Sequence, residues 1–182
     1  NIQTIKAQNA TASLKETFKD DFLIGVAINA RQIEEKDTTS DKLIVQQFNA
    51  VTPENIMKAE VIEPAWNKFN FELADKLIAF AAKNNIKVNA HTLIWHSQLP
   101  VFMHHIQSAD SVKQYFENHI TTVASRYDGK VYSWDVVNEA LNEDGTLRKS
   151  IFLDKLGDNY IVEAFRLAQK ASPHSKLYYN DY

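Results

Sequence analysis

Apolar positions along the chain switch between two periods. From Thr11 to Asp20 a polar stretch carries Leu14 and Phe18, spaced so that one side of a helix touches a core. Phe22 to Ala30 is a nearly unbroken apolar run, which predicts a strand covered on both faces and therefore a parallel sheet. Asp41 to Phe48 returns to helical spacing through Leu43, Ile44 and Gln47. A short strand from Asn49 then runs into a loop broken by Pro53 that carries Glu54, Asn55 and Lys58. Glu72 to Asn84 predicts a clear amphipathic helix, with Leu73, Leu77, Phe80 and Ala81 on one stripe.

The second half repeats the alternation. Lys87 to Trp95 predicts a strand whose end carries His91, Trp95, His96 and Gln98. Ser111 to Tyr127 is helical, its stripe formed by Val112, Tyr115, Phe116, His119, Ile120 and Val123, and Asp128-Gly129 stops it. Val131 to Leu141 begins as a buried strand and ends on Asn138 and Glu139, followed by a polar loop from Asn142 to Arg148. A helix from about Asp158 to Lys170 and a strand from Lys176 to Tyr182 close the chain. Strands alternating strictly with helices predict an α/β fold, either a closed barrel or a doubly wound sheet. The doubly wound nucleotide binders need a glycine-rich loop after the first strand. Here Gly25 stands alone inside that strand, so the barrel is favoured. No linker or interior domain boundary interrupts the pattern.

Composition narrows the partners. The 182 residues are 45% hydrophobic, enough for a real core, and the net charge of -3 comes without any basic run. Nucleic acid and anionic membrane are therefore excluded as expected partners. There is no Cys, so disulfides and thiolate metal sites are ruled out, and no apolar run is long enough to cross a membrane. No signal peptide is evident, and Asn9-Ala10-Thr11 fits a glycosylation sequon. The pairs His91/His96 and His104/His105 lack a recognised ligand spacing, so neither metal nor any other cofactor is expected. His104, His105 and His174 read as solvent-facing, and His119 as part of a core-facing stripe. The strained serine turn of the α/β hydrolases is missing as well.

What remains is a rim. Asn29, Glu54 with Asn55, His91 with Trp95 and Gln98, Asn138 with Glu139, and Asn180 with Tyr182 all fall at the C-terminal ends of successive strands. Barrel enzymes place their chemistry there. Carboxylates, amides and an indole without an arginine cluster suit a neutral polyhydroxylated ligand. Taken singly, Glu139 fits equally well as an acid opening the next helix, and Trp95 fits better as a core aromatic.

Three segments, Val51-Thr-Pro-Glu-Asn-Ile-Met-Lys58, His91-Thr-Leu-Ile-Trp-His-Ser-Gln-Leu-Pro100 and Trp134-Asp-Val-Val-Asn-Glu-Ala-Leu141, closely resemble signatures of glycoside hydrolase family 10, the endo-1,4-β-xylanases. Leu177-Tyr-Tyr-Asn-Asp-Tyr182 resembles a fourth, and all four stand in the family's order. The resemblance implies a TIM (β/α)8 barrel, of which this chain supplies about the first five strands. It also implies retaining hydrolysis of internal β-1,4-xylosidic bonds of xylan or xylo-oligosaccharides, by a secreted, periplasmic or cell-surface enzyme. Glu139 would be the general acid/base and Asn138 would bind the sugar 2-hydroxyl. Glu54, Asn55 and Lys58 would bind the glycone side. His91, Trp95 and Gln98 would enclose the sugar beside the scissile bond, and Tyr182 would meet the aglycone. A cis peptide at His91–Thr92 is also implied.

Retaining hydrolysis uses two carboxyl groups about 5–5.5 Å apart. The family's second one comes from a later strand, in a motif of the Thr-Glu-Leu-Asp type that these residues lack. The expectation is a chain that needs the complementary C-terminal part of the barrel, from a second chain or from further residues, and that is inactive without it. A xylan-binding barrel without catalysis, a relative acting on β-glucan and a metal-dependent sugar isomerase are the alternative readings. Because Asn138 and Glu139 are neighbours, both reach one sugar only if their strand bends or bulges.

Overall fold

The computed structural model describes residues 12–182. Five parallel strands lie side by side in chain order: β1 (Gly25–Ile28), β2 (Ala50–Pro53), β3 (Lys87–Trp95), β4 (Ser133–Asn138) and β5 (Lys176–Asn180). A doubly wound sheet reverses its strand order at a switch point. This one never does, so the strands form an arc of a singly wound barrel. The helices are α1 (Leu14–Thr17), α2 (Ala30–Ile33), α3 (Thr38–Gln47), α4 (Ala59–Ile62), α5 (Glu72–Lys83), α6 (Ala109–Arg126), α7 (Ile151–Leu156) and α8 (Tyr160–Ala171).

The long helices form where the apolar stripe predicts them. Leu77, Phe80 and Ala81 of α5 are buried, as are Val112, Tyr115, Phe116, His119, Ile120 and Val123 of α6. On α8 the buried Ala164 and Ala168, both with no exposed surface, leave no bulk to hold α6 away. Polar side chains start several helices by accepting an otherwise unpaired backbone N–H: Asp37 for α3, Ser108 for α6 and Ser150 for α7. Asn85, at φ +52°, turns the chain after α5.

One buried polar pair sits inside this helical layer. His119 Nδ1 lies 2.9 Å from Glu63 Oε2, with side-chain exposures of 0% and 1%. Glu63 Oε1 accepts the Asn67 N–H at 3.0 Å, and the imidazole is stacked between Tyr115 and Phe69. The pair ties the segment after α4 to α6. His104, His105 and His174 are exposed.

Three expectations are corrected. The helix expected over Thr11–Asp20 shrinks to the single turn of α1; its start at Thr11 and the Asn9-Ala10-Thr11 sequon lie outside the described residues. The first strand is shorter than the run from Phe22 to Ala30, because the Asn49 side chain captures the Ile24 N–H at 2.7 Å before the ladder begins. Among the described residues that strand is also not covered on both faces. Gly25 and Ala27 are exposed and Phe22 turns back to stack on Phe18. Only β4, in the interior of the arc, is buried at every position, whereas β1 and β5 are its two edges. The short helices α2, α4 and α7 and the 3-10 turn Val101–His105 are too brief to leave a periodic signal in the sequence.

Candidate active site

Register assembles the rim. In the parallel ladder Trp95 pairs with Asn138, and Asn138 with Asn180, so the last residues of β3, β4 and β5 stand abreast. Asn180 Nδ2 donates to Asn138 Oδ1 at 2.8 Å. That bond fixes the Asn138 amide with its oxygen turned along the rim and its N–H groups left over as donors.

Glu139 comes next. Its backbone N–H donates to Asn180 O at 2.9 Å, and its φ is +52°. Left-handed backbone costs a side-chain-bearing residue roughly 1–2 kcal/mol. The ladder also shifts register between Asp135 and Val137. A bulge followed by a left-handed residue breaks the in-out alternation of a straight strand, which is what two adjacent rim residues require. Glu139 does not open a helix, because α7 begins only at Ile151 with Ser150 as its cap. The reading of Glu139 as a helix-starting acid therefore fails.

Glu139 is then held from two sides. Trp95 Nε1 donates to its Oε2 at 2.9 Å. The following residue is pinned by Ala140 N–H donating to the Tyr179 hydroxyl at 3.1 Å, and by Arg148 N–H donating to Ala140 O at 2.7 Å. Tyr179 in turn donates to the Asp181 carboxylate. Trp95 is only partly buried, and its indole faces the carboxylate rather than the core.

His91 is oriented from behind. Asp135, its register partner on β4, accepts from His91 Nδ1 at 2.9 Å and from Asn89 Nδ2 at 3.1 Å. With Nδ1–H committed to a carboxylate, Nε2 is the nitrogen left for a ligand. The His91–Thr92 peptide is cis, and Thr92 Oγ1 donates to Asp135 O at 2.7 Å.

A second cluster forms where the loops after β2 and β3 meet. Lys58 Nζ donates to Gln98 Oε1 at 2.7 Å and to Asn55 Oδ1 at 3.0 Å, and lies 4.6 Å from the Trp95 ring centroid. Burial pushes the Lys58 ammonium below the usual lysine range, while Glu139, Glu60 and Glu54 act to hold its charge. Gln98, at φ +46°, also donates through Nε2 to Glu60 at 2.8 Å and to Asn55 at 3.3 Å. The Lys58–Trp95 contact connects this cluster to Glu139.

Two expected site residues stand apart. Glu54 is exposed and its carboxylate makes no hydrogen bond among the described residues, although its charge bears on Lys58. Tyr182 is 81% exposed and tied to Arg148, whose Nη2 donates to the Tyr182 hydroxyl at 2.7 Å and to Leu141 O at 2.9 Å. Burial and the Arg148 charge push the His96 imidazole below its ordinary value.

Sequence reasoning missed the supporting residues: Asp135 behind His91, Tyr179 and Arg148 beside Ala140, and Glu60 beside Gln98. Asp135 was the most accessible, since pairing the two strands in parallel places a carboxylate beside an imidazole. Among the described residues no group of three or more His, Asp or Glu side chains converges as metal ligands, and no helix is long and apolar enough to cross a membrane.

The chain is similar to known xylanases over most of its length. The endo-1,4-beta-xylanase 2 of Claviceps purpurea is 43% identical over 139 residues, which cover 76% of this chain and 43% of that protein. The endo-1,4-beta-xylanase 3 of Hypocrea jecorina is 46% identical over 140 residues, covering 77% and 40%. The chain thus spans less than half the length of these two relatives. The crystal structure of xylanase 10B from Thermotoga petrophila in complex with xylobiose superposes with a TM-score of 0.89 at 36% identity, covering all of this chain and 54% of that one. The five parallel strands are accordingly part of a TIM barrel. The profile of Glycosyl hydrolase family 10 matches residues 13–182, and the chain belongs to that family.

Proposed function

We propose that this rim is the acid/base half of an endo-1,4-β-xylanase that cuts internal bonds of xylan with retention of configuration. Glu139 protonates the departing glycosidic oxygen and then, as carboxylate, takes a proton from the incoming water. Asn138 offers its free N–H groups to the hydroxyl next to the reacting carbon. His91, Trp95 and Gln98 enclose the sugar beside the scissile bond. Glu54, Asn55 and Lys58 hold the glycone, and Tyr182 packs against the aglycone.

The observation that carries the reading is the pair of anchors on Glu139, the Trp95 indole on its carboxylate and the left-handed turn beneath it. A carboxyl group fixed in this way at the C-terminal rim of a barrel is placed to protonate a bound ligand.

The partner carboxylate is proposed to come from barrel strands outside residues 1–182. A nucleophile about 5–5.5 Å from Glu139 is required for retention. Asp135 is unsuited, being buried and already bonded to His91 and Asn89. The span of the chain relative to its relatives, and the two edges of the five-strand arc, support completion by further strands. A polymer as large as xylan cannot cross a membrane, so the enzyme would meet it outside the cytoplasm.

In the completed barrel, Glu139→Ala should remove nearly all hydrolysis of xylan while xylo-oligosaccharides still bind. Undiminished hydrolysis would refute the acid/base role. A soluble monomer of residues 1–182 that cleaves xylan unaided would refute the external nucleophile.

A further inference from the structure

Gln98 is wedged between a cation and an anion. A carboxylate only accepts hydrogen bonds and an ammonium only donates them. The Gln98 amide therefore has one satisfied orientation, with Oε1 towards Lys58 at 2.7 Å and Nε2 towards Glu60 at 2.8 Å. Lys58 alone would choose which end of the amide faces it, but it would not fix where the amide sits. Glu60 supplies the second anchor, and its backbone N–H supplies a third by donating to Gln98 O at 3.0 Å. That backbone contact falls at the residue with left-handed φ, where the loop after β3 turns.

The consequence spreads to two neighbours. Asn55 Oδ1 accepts from both Lys58 and Gln98, so the Asn55 N–H groups are turned away from the cluster as free donors. Lys58 is held over the Trp95 ring, and the Trp95 indole in turn holds Glu139.

We infer that Glu60 is a positioning residue for the glycone site, bridging the loops after β2 and β3 so that Gln98, Lys58 and Asn55 present one fixed pattern of donors to a sugar. This rests on the proposed xylanase function. Glu60 itself is exposed on the first turn of α4 and acts through Gln98 and Lys58 rather than by touching substrate. A charged acceptor matters here because a charge-assisted bond is stronger than one between neutral groups.

The test is a double-mutant cycle in the completed barrel, reading KM and kcat on xylo-oligosaccharides, with thermal stability measured alongside. Glu60→Ala should raise KM roughly five-fold, a modest effect because the bond is partly screened by solvent, and leave kcat within about two-fold. In a Gln98→Ala background the same change should have almost no further effect on KM, because the group it positions is gone. An equal, additive rise in both backgrounds would overturn the proposal, as would an unchanged KM in the single variant. If the unaltered protein binds xylotriose without cleaving it, the same cycle is read from calorimetric binding constants, and only the catalytic part of the functional reading fails. A protein that neither binds nor cleaves would overturn both.

Discussion

Trp95 and Glu139 stand one register step apart on neighbouring strands, and the Trp95 indole N–H donates to the Glu139 carboxylate at 2.9 Å. The bond does two things at once. It turns an aromatic that could have filled the core into part of the rim, and it gives a carboxyl on left-handed backbone a fixed direction.

Removing only that N–H separates orientation from chemistry. Trp95→Phe keeps an aromatic surface for the sugar and for Lys58 but leaves Glu139 free to rotate. A hydrogen bond to a charged group contributes about 1.5–3 kcal/mol, so kcat should fall on the order of ten-fold or more. Glu139→Ala, which deletes the proposed acid, should cost more, since positioned acid/base groups are worth roughly 10²–10⁴-fold. Steady-state kinetics on xylo-oligosaccharides ranks the two variants. An equal loss in both would mean that the indole does more than orient the acid.

Tyr179 makes a similar prediction from the other side of the acid. Its hydroxyl accepts the Ala140 N–H and donates to Asp181, and burial, reinforced by Asp181, pushes the phenol up to about 12. A raised folded value means that the neutral phenol is favoured in the native state. Its contribution is complete below the unperturbed value of about 10 and is lost as pH rises through about 12. Tyr179→Phe should therefore lower kcat several-fold at neutral pH, because the Ala140 N–H loses its acceptor, and should flatten any stability loss between about pH 10 and 12. Kinetics together with an alkaline unfolding series checks both parts.

Much of this was legible in the sequence, and for a physical reason. Long helices carry their own period, so α5, α6 and α8 were placed to within a few residues. Trp95, Asn138 and Asn180 come together because parallel register sets the ends of neighbouring strands abreast. Illegible were the residues whose role exists only across the sheet. Asp135 reads as one polar residue in an apolar strand until parallel pairing sets it against His91. Glu60 carries no signal in the sequence, and its role exists only because the loop after β3 brings Gln98 to it.

Acid sensitivity should enter through Asp75, which joins α5 to the end of α6. The Arg126 guanidinium hydrogen-bonded to it holds its carboxyl below the usual range, and the Tyr127 hydroxyl, donating at 3.0 Å, adds to this against the opposing effect of burial. A depressed folded value contributes stability that is present above the unfolded value of about 3.9 and is lost as pH falls through the lower folded one. Both partners are more than a third exposed, so screening keeps the contribution below about 1 kcal/mol. Asp75→Asn should lower stability slightly at pH 7 and lose that disadvantage progressively below about pH 4. Urea midpoints compared across this range would show the two proteins converging, and parallel curves would remove Asp75 from the account.

The buried His119–Glu63 pair should give the largest change in stability. Each side chain has at most 1% of its surface exposed, and each is the other's polar partner at 2.9 Å. His119→Ala leaves the Glu63 carboxylate in the interior with only the Asn67 N–H on its other oxygen, and it empties the space between Tyr115 and Phe69. Breaking a buried polar pair from one side costs up to about 3–5 kcal/mol, because the stranded carboxyl group has neither its partner nor water. Replacing both residues together, as His119→Leu with Glu63→Leu, removes the buried polar group as well as its partner and should recover most of that loss. Denaturant unfolding with an unchanged slope is the measurement. A double variant as unstable as His119→Ala would show that shape, through the aromatic stack and the Asn67 turn, outweighs the polar pairing at this position. Recovery would show that the pair is retained at a cost, fixing the segment after α4 against α6 while Lys58 and Glu60 are held a few residues upstream.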